Sequence, residues 1–376
     1  MRTLPGGRRL LPILLALVAF ATACVQPGAP ASRTTAAPPT PSARPTPAPI
    51  VAIDDRAAAG VARLVDLNGA EVARAPVPAG AVFVGVGGGR LIWRDATALR
   101  ALGTDGRVTQ VGTLPALPSS LVVSPDGTGW VWSRSEAQGE QTHSVLYLND
   151  RPITESTEPG RALQAVTWTV RGVVVEHAVL GLGGYVPIGG VTGPAELVNV
   201  QSGTRQPLTD DKCLFAALAT DGTLSCRQPV QGRWGASVVR IVHPGGSRVD
   251  VKVPSDRFRF AGDTSFKPEL ETTTLAIGGA TGAGAAGGGE MYETDIVDAG
   301  SAIVHRFGPP GLLPGDGPWA WLPDGSLISW RPPGSGGSPG VYVAGLTGSV
   351  RQITPTGRPV GVIQSSTVSG SSAPPD

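Results

Sequence analysis

LVVSPDGTGWVW (residues 121–132) has the pattern of a single β-hairpin: an apolar strand, a turn at Pro125-Asp126-Gly127, and a second apolar strand that ends in tryptophan. Asp and Gly favour the backbone conformations that tight hairpin turns require. The first copies of this pattern follow one another at intervals of roughly 40–50 residues, which predicts a repeat architecture of small sheets. The other copies are FVGVGGGRLIW (83–93), AVTWTVRGVVV (165–175), FAALATDGTLSC (215–226), AWLPDGSLISW (320–330) and a degenerate one around 258–277.

A second kind of hairpin alternates with the first. Its strands alternate apolar and polar residues around Asn-Gly, Asp-Gly, Ser-Gly or Gly-Gly turns, which are strong hairpin signals. The alternation predicts outer strands with one wet face, whereas the more apolar first kind predicts inner strands. The seven copies span residues 62–75, 99–112, 145–156, 195–208, 238–251, 293–306 and 341–354.

The two ends of the repeat region complement each other. IVAID (50–54) precedes the first outer hairpin, and PVGVIQ (359–364) follows the last one. If these segments pair within one blade, the chain closes a ring and leaves no exposed sheet edge at the junction. We therefore predict an all-β chain that forms a seven-bladed β-propeller. A six-bladed ring with an additional N-terminal hairpin, or two β-sandwiches, would use the same hairpins.

The turns carry a resemblance to a known repeat. Ser124-Pro125-Asp126-Gly127, Leu322-Pro323-Asp324-Gly325 and the proline-free Thr220-Asp221-Gly222 resemble the TolB-like and WD40-like propeller repeat. The resemblance covers residues 50–365 as a pattern of blades, and it implies a propeller fold and often a binding role. The Gly-His and Trp-Asp pairs of WD40 blades are absent. The three aspartates are interpreted as turn formers, because an Asp side chain bonds to its own backbone two residues on.

Residues 1–23 have the composition of a signal peptide. Three arginines precede an apolar run over residues 10–20, which is shorter than a membrane-spanning helix requires. Small residues at 21–23 then precede Cys24, whose sulfur is a nucleophile suited to receiving a diacylglycerol group. The arrangement resembles the lipobox of bacterial lipoproteins and implies lipidation of Cys24. An ordinary secretory signal followed by an unrelated cysteine is the alternative.

Composition divides the rest of the chain into three parts. Residues 24–49 are rich in Pro, Ala and Thr, which predicts an extended, disordered tether. Residues 50–364 hold the hairpins of the propeller, and residues 365–376 predict a disordered tail. With a lipid on Cys24, we expect the propeller to be anchored to the cell membrane on its extracytoplasmic side.

The charge balance excludes one class of partner. The formal net charge of the chain is +1, and such a near-neutral chain lacks the basic surface that nucleic-acid binding requires. The expected contacts are instead with the membrane, through the Cys24 lipid, and with a protein or peptide partner at the envelope.

Two cysteines follow Cys24, and an even pair is typical of an oxidising compartment. Cys213 and Cys226 lie on the two arms of one inner hairpin. A symmetric turn at Asp221-Gly222 would leave them out of register by about two residues. The disulfide that we expect between them therefore requires a bulge or a longer turn.

No catalytic residue, metal site or cofactor is predicted. Asp54-Asp55 and Asp210-Asp211 lack the spacing of a calcium loop. The glycine-rich stretches lack the following helix and lysine that phosphate-binding loops use. The histidines are scattered over different predicted blades without a His-x-His or His-Glu-x-x-His cluster; they are His143, His177, His243 and His305.

Long loops are predicted on one face of the ring. GLGGYVPIGG (181–190), GGATGAGAAGGGE (278–290) and RPPGSGGSPG (331–340) each fall between the second and third strands of a predicted blade. Such loops all emerge on the same face, where loops on a rigid scaffold commonly carry function. They could equally be linkers that stable strands tolerate. Tyr185 and Trp234 are the candidate contact residues. The other tryptophans are predicted to fill space between blades; they are Trp93, Trp130, Trp132, Trp168, Trp319, Trp321 and Trp330.

These patterns predict a binding or scaffolding module at the cell envelope. The alternative is a propeller enzyme, such as a hydrolase, lyase or quinone-dependent dehydrogenase, or a binder of small sugars. Three or more polar side chains converging on the ring axis would favour the alternative, and a sequence alone does not show convergence.

Overall fold

The computed structural model of the protein describes most of the chain after its first 47 residues. The described residues are 48–180, 192–230, 233–252, 260–266, 274–281, 291–298, 303–307, 312–314, 321–322, 324–333, 337–345 and 348–364. They all belong to the second of two compact units, Thr46–Asp376, and the first unit is Met1–Pro45. The predicted signal peptide, Cys24, nearly all of the predicted tether and the predicted tail therefore lie outside the described residues.

The described residues form seven four-stranded antiparallel sheets. Sheet 1 combines β1 (Ile50–Asp55), β2 (Val61–Asp66) and β3 (Glu71–Pro76) with the last strand of the chain, β28 (Arg358–Ile363). Sheet 2 contains β4 (Val82–Gly87), β5 (Arg90–Asp95), β6 (Ala98–Leu102) and β7 (Val108–Thr113). Sheet 3 contains β8 (Ser120–Val123), β9 (Trp130–Gln138), β10 (Gln141–Leu148) and β11 (Arg151–Pro159). Sheet 4 contains β12 (Arg161–Thr169), β13 (Gly172–Val179), β14 (Ala195–Val198) and β15 (Arg205–Pro207).

The remaining three sheets complete the series. Sheet 5 contains β16 (Leu214–Leu218), β17 (Leu224–Val230), β18 (Arg233–Val242) and β19 (Arg248–Lys252). Sheet 6 contains β20 (Phe260–Phe266), β21 (Thr274–Thr281), β22 (Met291–Asp298) and β23 (Ile303–Phe307). Sheet 7 contains β24 (Leu313–Pro314), β25 (Leu327–Arg331), β26 (Gly340–Ala344) and β27 (Val350–Thr354). The strands of each sheet are called a to d in this order, with β28 as strand a of sheet 1.

The ring closes within sheet 1. Strand β28 pairs with β1 antiparallel, from Ile50 opposite Ile363 to Asp54 opposite Arg358. Contacts between a strands run from sheet 1 through sheet 4 and from sheet 5 through sheet 7, so the a strands line the centre of the ring. This arrangement confirms the predicted all-β propeller fold, and the number of sheets found equals the seven predicted blades. In the part of the chain that the structure describes, the single helix is α1 (Arg56–Ala59), and no helix is long and apolar enough to cross a bilayer.

The observed strands follow the two predicted kinds of hairpin, with two corrections. In sheet 7 the predicted hairpin over 320–330 is reduced to a bridge between Trp321 and Leu327. Strand a is formed instead by Leu313 and Pro314, which pair with Trp330 and Ser329. In sheet 6 residues 278–281, predicted as loop, continue strand β21, because their backbone pairs with β22. Small side chains such as glycine do not prevent ladder pairing, although they add little packing.

The hydrophobic core consists of clusters shared between adjacent sheets. One cluster joins Leu64 of sheet 1 to Trp93 of sheet 2, and another joins Val131 of sheet 3 to Val173 of sheet 4. Of the tryptophans predicted to pack between blades, Trp93, Trp132 and Trp321 are fully buried. Trp130, Trp168 and Trp330 are half-buried, and Trp319 lies outside the described residues.

Close backbone contact between neighbouring sheets requires glycine at one turn in particular. Gly127, in the turn between β8 and β9, has φ +69° and lies against the turn that joins β4 to β5. A Cβ atom at this position would lie 2.6 Å from the carbonyl carbon and oxygen of Gly87. The Pro-Asp-Gly motif therefore serves two purposes, since its glycine both forms the turn and permits the two sheets to approach.

An ion pair within sheet 1, between a buried carboxylate and a partly buried arginine, is hydrogen-bonded to sheet 7 where the ring closes. Asp55 at the end of β1 is 3% exposed, and its Oδ2 lies 2.9 Å from Arg63 Nη2. The hydroxyl of Thr356 donates to the same oxygen at 3.0 Å, and Arg63 Nη2 donates to Thr354 Oγ1 at 2.7 Å. Thr354 ends β27, so the pair connects the first two strands of the chain to its last two.

Candidate binding face

Each sheet presents its connections on two opposite faces of the ring. Because neighbouring strands are antiparallel, the b–c connections emerge on the same face as the links between sheets. We call this the b–c face. The a–b and c–d turns emerge on the other face, which we call the turn face. Short turns connect the strands on the turn face of sheet 2, at Gly88-Gly89 and at 103–107.

The b–c connections differ greatly in length from sheet to sheet. In sheets 2 and 3 they are only Ala96-Thr97 and Gly139-Glu140. In sheets 4, 6 and 7 they comprise residues 180–194, 282–290 and 332–339. The strand bounds thus place both ends of each of these connections on a single face, as the sequence pattern indicated.

The point where the chain enters the propeller lies on the opposite face. Ile50 begins strand b of sheet 1, and Ile363 ends strand a of the same sheet, and the two residues are paired. A strand b begins on the turn face and a strand a ends there. Residues that precede Ile50 therefore join the propeller on the face opposite the long connections.

The structure places one of the two candidate contact residues. Trp234 is near the start of β18, next to the short b–c connection of sheet 5. Tyr185 falls between β13 and β14 and lies outside the described residues. Exposed large apolar side chains do not distinguish the faces, since Leu180 is exposed on the b–c face and Val170 on the turn face. The lengths of the connections are what distinguish them.

Cys213 and Cys226, the predicted pair, are joined by a disulfide with Cα atoms 5.3 Å apart. Cys213 precedes β16 on the b–c face, and Cys226 lies opposite Phe215 in β17. A bulge between Phe215 and Ala217 shifts the register and brings the two cysteines into diagonal reach. The sequence predicted that a disulfide here would need either a bulge or a longer turn, and the structure has the bulge. The disulfide connects the segment between sheets 4 and 5 to the inner strand β17.

A cluster of charged side chains, not found by sequence reasoning, lies between sheets 3 and 4. His177 in β13 is 8% exposed, and its Nδ1 lies 2.5 Å from Glu158 Oε1 of β11. Its Nε2 lies 3.1 Å from Arg205 Nη2 and 3.3 Å from Glu196 Oε2. Burial raises the pKa of Glu158, but the Ser156 hydroxyl and the charges of His177 and Arg205 outweigh this effect and hold the pKa below its usual value.

Glu176, the neighbour of His177, points to the opposite side of sheet 4 and is only 4% exposed. Its Oε2 accepts a hydrogen bond from the backbone N–H of Thr192 at 2.9 Å. Burial raises the pKa of Glu176 to about 7, against the opposing effects of the Thr192 and Gly193 amides and the charges of Arg227 and His177. The signal in the sequence was an acidic residue inside an otherwise apolar run, VVVEHAV at 173–179.

The two Asp-Asp pairs considered as calcium ligands bind other groups of the protein. Asp54 forms an ion pair with Arg56, and Asp55 belongs to the ion pair with Arg63. Asp210 accepts backbone hydrogen bonds from the turn that follows it, and Asp211 pairs with Arg161 at 2.8 Å. Within the described ranges no group of three or more His, Cys, Asp or Glu residues is arranged to hold a metal ion.

The turn aspartates have the local role that their sequence context indicated. Asp126 Oδ1 accepts the backbone N–H of Thr128 at 3.1 Å, and Asp221 Oδ1 accepts that of Thr223 at 2.8 Å. Asp324 Oδ1 accepts the N–H of Ser326 at 2.9 Å. Each carboxylate bonds two residues ahead of itself, which is the geometry of an Asx turn.

Comparison with known proteins supports the fold and assigns no family. No family model matches the chain, and no curated protein matches it. Among solved structures, the chain is similar to a functionally unknown protein from Desulfotomaculum acetoxidans, with a TM-score of 0.50 and 10% identity over 83% of this chain and 98% of that one. It is also similar to a putative TolB from Agrobacterium tumefaciens, with a TM-score of 0.42 and 11% identity over 69% and 88%.

A further similarity is to the β-propeller domain of the Trilobed protease from Pyrococcus furiosus, with a TM-score of 0.46 and 10% identity over 78% of this chain and 86% of that one. At such low identity these likenesses concern the fold alone. The class of protein that the seven sheets define is a β-propeller.

Proposed function

We propose that this chain is a lipid-anchored binding module of the bacterial cell envelope, which recognises a protein or peptide partner through its b–c face. The proposal depends mainly on the observation that two features lie on opposite faces of the ring. The long connections of sheets 4, 6 and 7 begin and end on one face, and the chain enters the propeller at Ile50 on the other. A lipid on Cys24 would therefore tether the propeller by the end of the chain that enters on the turn face, which leaves the b–c face available to partners.

The anchor part of the proposal is supported by the residues around Cys24. A basic start, a short apolar run and small residues before the cysteine together form the pattern of a lipoprotein signal. The composition of 24–49 suits a spacer, since Pro-rich chains favour extended conformations. Two acyl chains on one cysteine give stable membrane association, because each buried CH₂ contributes about 0.8 kcal/mol.

Cys24→Ala is expected to release the protein from the membrane almost completely. The variant loses the sulfur that carries the lipid, and the substitution lies outside the hairpin repeats of residues 50–364. The measurement is the distribution of the protein between the membrane pellet and the soluble fraction, together with the mass of the N-terminal peptide. Gln26→Ala, two residues further on, is the matched control and should remain in the pellet. A Cys24→Ala variant that also stays in the pellet contradicts lipid anchoring.

The binding part of the proposal is tested by photo-cross-linking from the two faces of one sheet. A photoreactive phenylalanine analogue at Leu180, 43% exposed on the b–c face, is compared with the same analogue at Val170, 76% exposed on the turn face. Both positions are apolar and lie at the two ends of β13, so the pair differs mainly in the face probed. We expect a discrete cross-linked envelope protein from Leu180 that excess unmodified protein suppresses, and none from Val170. Equal products from both positions, or none from Leu180, would refute recognition by the b–c face.

A further inference from the structure

The buried carboxyl group of Glu176 lies where the long b–c connection of sheet 4 re-enters the sheet. Glu176 is opposite Ala195 in the pairing of β13 with β14, and it is 4% exposed. Its Oε2 accepts the N–H of Thr192, while the Thr192 hydroxyl accepts the N–H of Val179 at 3.0 Å. Thr192 is thus bound to both the side chain and the backbone of β13.

The neighbouring residues leave little freedom for this segment to move while the bonds persist. His177 N–H donates to the Pro194 carbonyl at 2.8 Å. Gly193 lies so close to the His177 carbonyl and to Arg161 Nη1 that a side chain there would overlap both. Arg161 is itself fixed by an ion pair with Asp211. The end of the connection, Thr192–Pro194, is therefore held by a compact set of contacts centred on β13.

The charged groups around Glu176 come from two sheets. Arg227 of β17, 9% exposed, faces it from sheet 5 and favours the carboxylate, as does His177 on its own strand. The N–H groups of Thr192 and Gly193 act in the same direction. Burial acts in the opposite direction and exceeds all of them, because an ion in an apolar contact between sheets loses its hydration.

We propose that Glu176 is a proton-dependent fastener for the segment Thr192–Pro194, which it holds most tightly when its carboxyl group is neutral. Ionisation places a charge in the contact between sheets 4 and 5, and opening of the segment lets water reach that charge. Thr192–Pro194 are therefore expected to detach from β13 more readily as the medium becomes alkaline. This pH-dependent attachment of Thr192–Pro194 goes beyond the proposed function and does not depend on whether a partner binds.

The direction of this pH effect follows from the difference between the pKa of Glu176 in the closed and in the opened form. The pKa of Glu176 is about 7 in the folded protein, against 4.5 for a free glutamate side chain. The folded form therefore holds the proton over a range in which the opened form has released it, so acid stabilises the closed segment. This stabilisation is full below about pH 4.5 and is lost as the pH rises through about 7.

Hydrogen exchange at the amides of Thr192 and Gly193 tests the proposal. For each amide, the protection factor of the wild type is divided by that of Glu176→Gln, which keeps the size and the acceptor oxygen but does not ionise. We expect this ratio to fall roughly 30-fold from about pH 5.5 to about pH 8.5, because the wild type alone carries the buried charge. A ratio that does not change with pH overturns the proposal.

His177 is the competing explanation, because it is the next residue in β13 and its charge acts on Glu176. The variant His177→Gln should show the same pH dependence of amide protection as the wild type. If the pH dependence disappears in His177→Gln and remains in Glu176→Gln, the effect belongs to His177 and the proposal is overturned. A measurement on the wild type alone tests the proposal even if the variants do not fold. In the wild type, the amide chemical shifts of Thr192 and Gly193 should titrate with a midpoint near pH 7, and shifts that are flat over this range also overturn it.

Discussion

Asp55→Ala is expected to lower the free energy of unfolding by about 3 kcal/mol, the lower end of the usual cost of removing one member of a buried ion pair, because the Arg63 side chain is 19% exposed. The substitution leaves the guanidinium of Arg63 in the junction of sheets 1 and 7 without the carboxylate 2.9 Å away. It also removes the acceptor of the Thr356 hydroxyl, which links the end of the chain to its beginning. Most of the loss comes from the uncompensated charge that remains and not from the pair itself.

The measurement is equilibrium unfolding in denaturant, followed by tryptophan fluorescence. The matched control is Asp105→Ala, because Asp105 also pairs with an arginine but in an exposed turn, where its side chain is 61% accessible and Arg107 Nε lies 3.7 Å away. Exposed pairs contribute roughly 0–1 kcal/mol, so the control should unfold close to the wild type. Similar midpoints for the two variants would show that the pair at the ring closure is not the strong contact inferred here.

Gly127→Ala is expected to lower the free energy of unfolding by about 3 kcal/mol, through two effects that add. The left-handed backbone at φ +69° disfavours any residue with a Cβ by about 1–2 kcal/mol. The added methyl group would also lie 2.6 Å from the backbone of Gly87. Backbone atoms in a paired strand do not move aside as a flexible side chain does, so the two sheets must separate.

Gly106→Ala isolates the first of these effects. Gly106 has φ +77°, and no atom lies within 4 Å of the position its Cβ would take. We expect this control to lose only about 1 kcal/mol, measured in the same denaturant titration. If the two alanine variants are equally stable, the contact between the turns of sheets 2 and 3 is looser than the backbone positions indicate.

Most of the fold was predictable because the information is local. Outer hairpins such as 62–75 and 195–208 carry both a turn dipeptide and an alternation of apolar and polar residues, and each of these signals works within a few residues. The pairing of β1 with β28 was also predictable, because the count of hairpins left one strand unpaired at each end. Strand a of sheet 7 was misplaced, because Leu313-Pro314 has neither signal.

The candidate face was predictable only in part. Loop positions follow from strand positions, so the face of the long connections could be inferred from the order of the hairpins. The charged cluster could not, because Glu158, His177 and Arg205 lie on three different strands and meet only after the sheets pack. Nor does a sequence show that Glu176 is buried. The apolar residues around Glu176 in the sequence indicate an unusual environment for a carboxyl group. Which side of the sheet the carboxyl group faces depends on the strand register.

The ring closure also determines when the molecule can become stable during its synthesis. Asp55 and Thr356 are separated by 301 residues, and so the strand that finishes the first sheet is the last one to be made. Until that strand arrives, β1 presents an open edge and the ion pair at the junction lacks its threonine partners. The entropy of closing so long a loop must be overcome before these contacts form, which slows folding. The growing chain is thus most vulnerable to aggregation and proteolysis immediately before its final residues emerge.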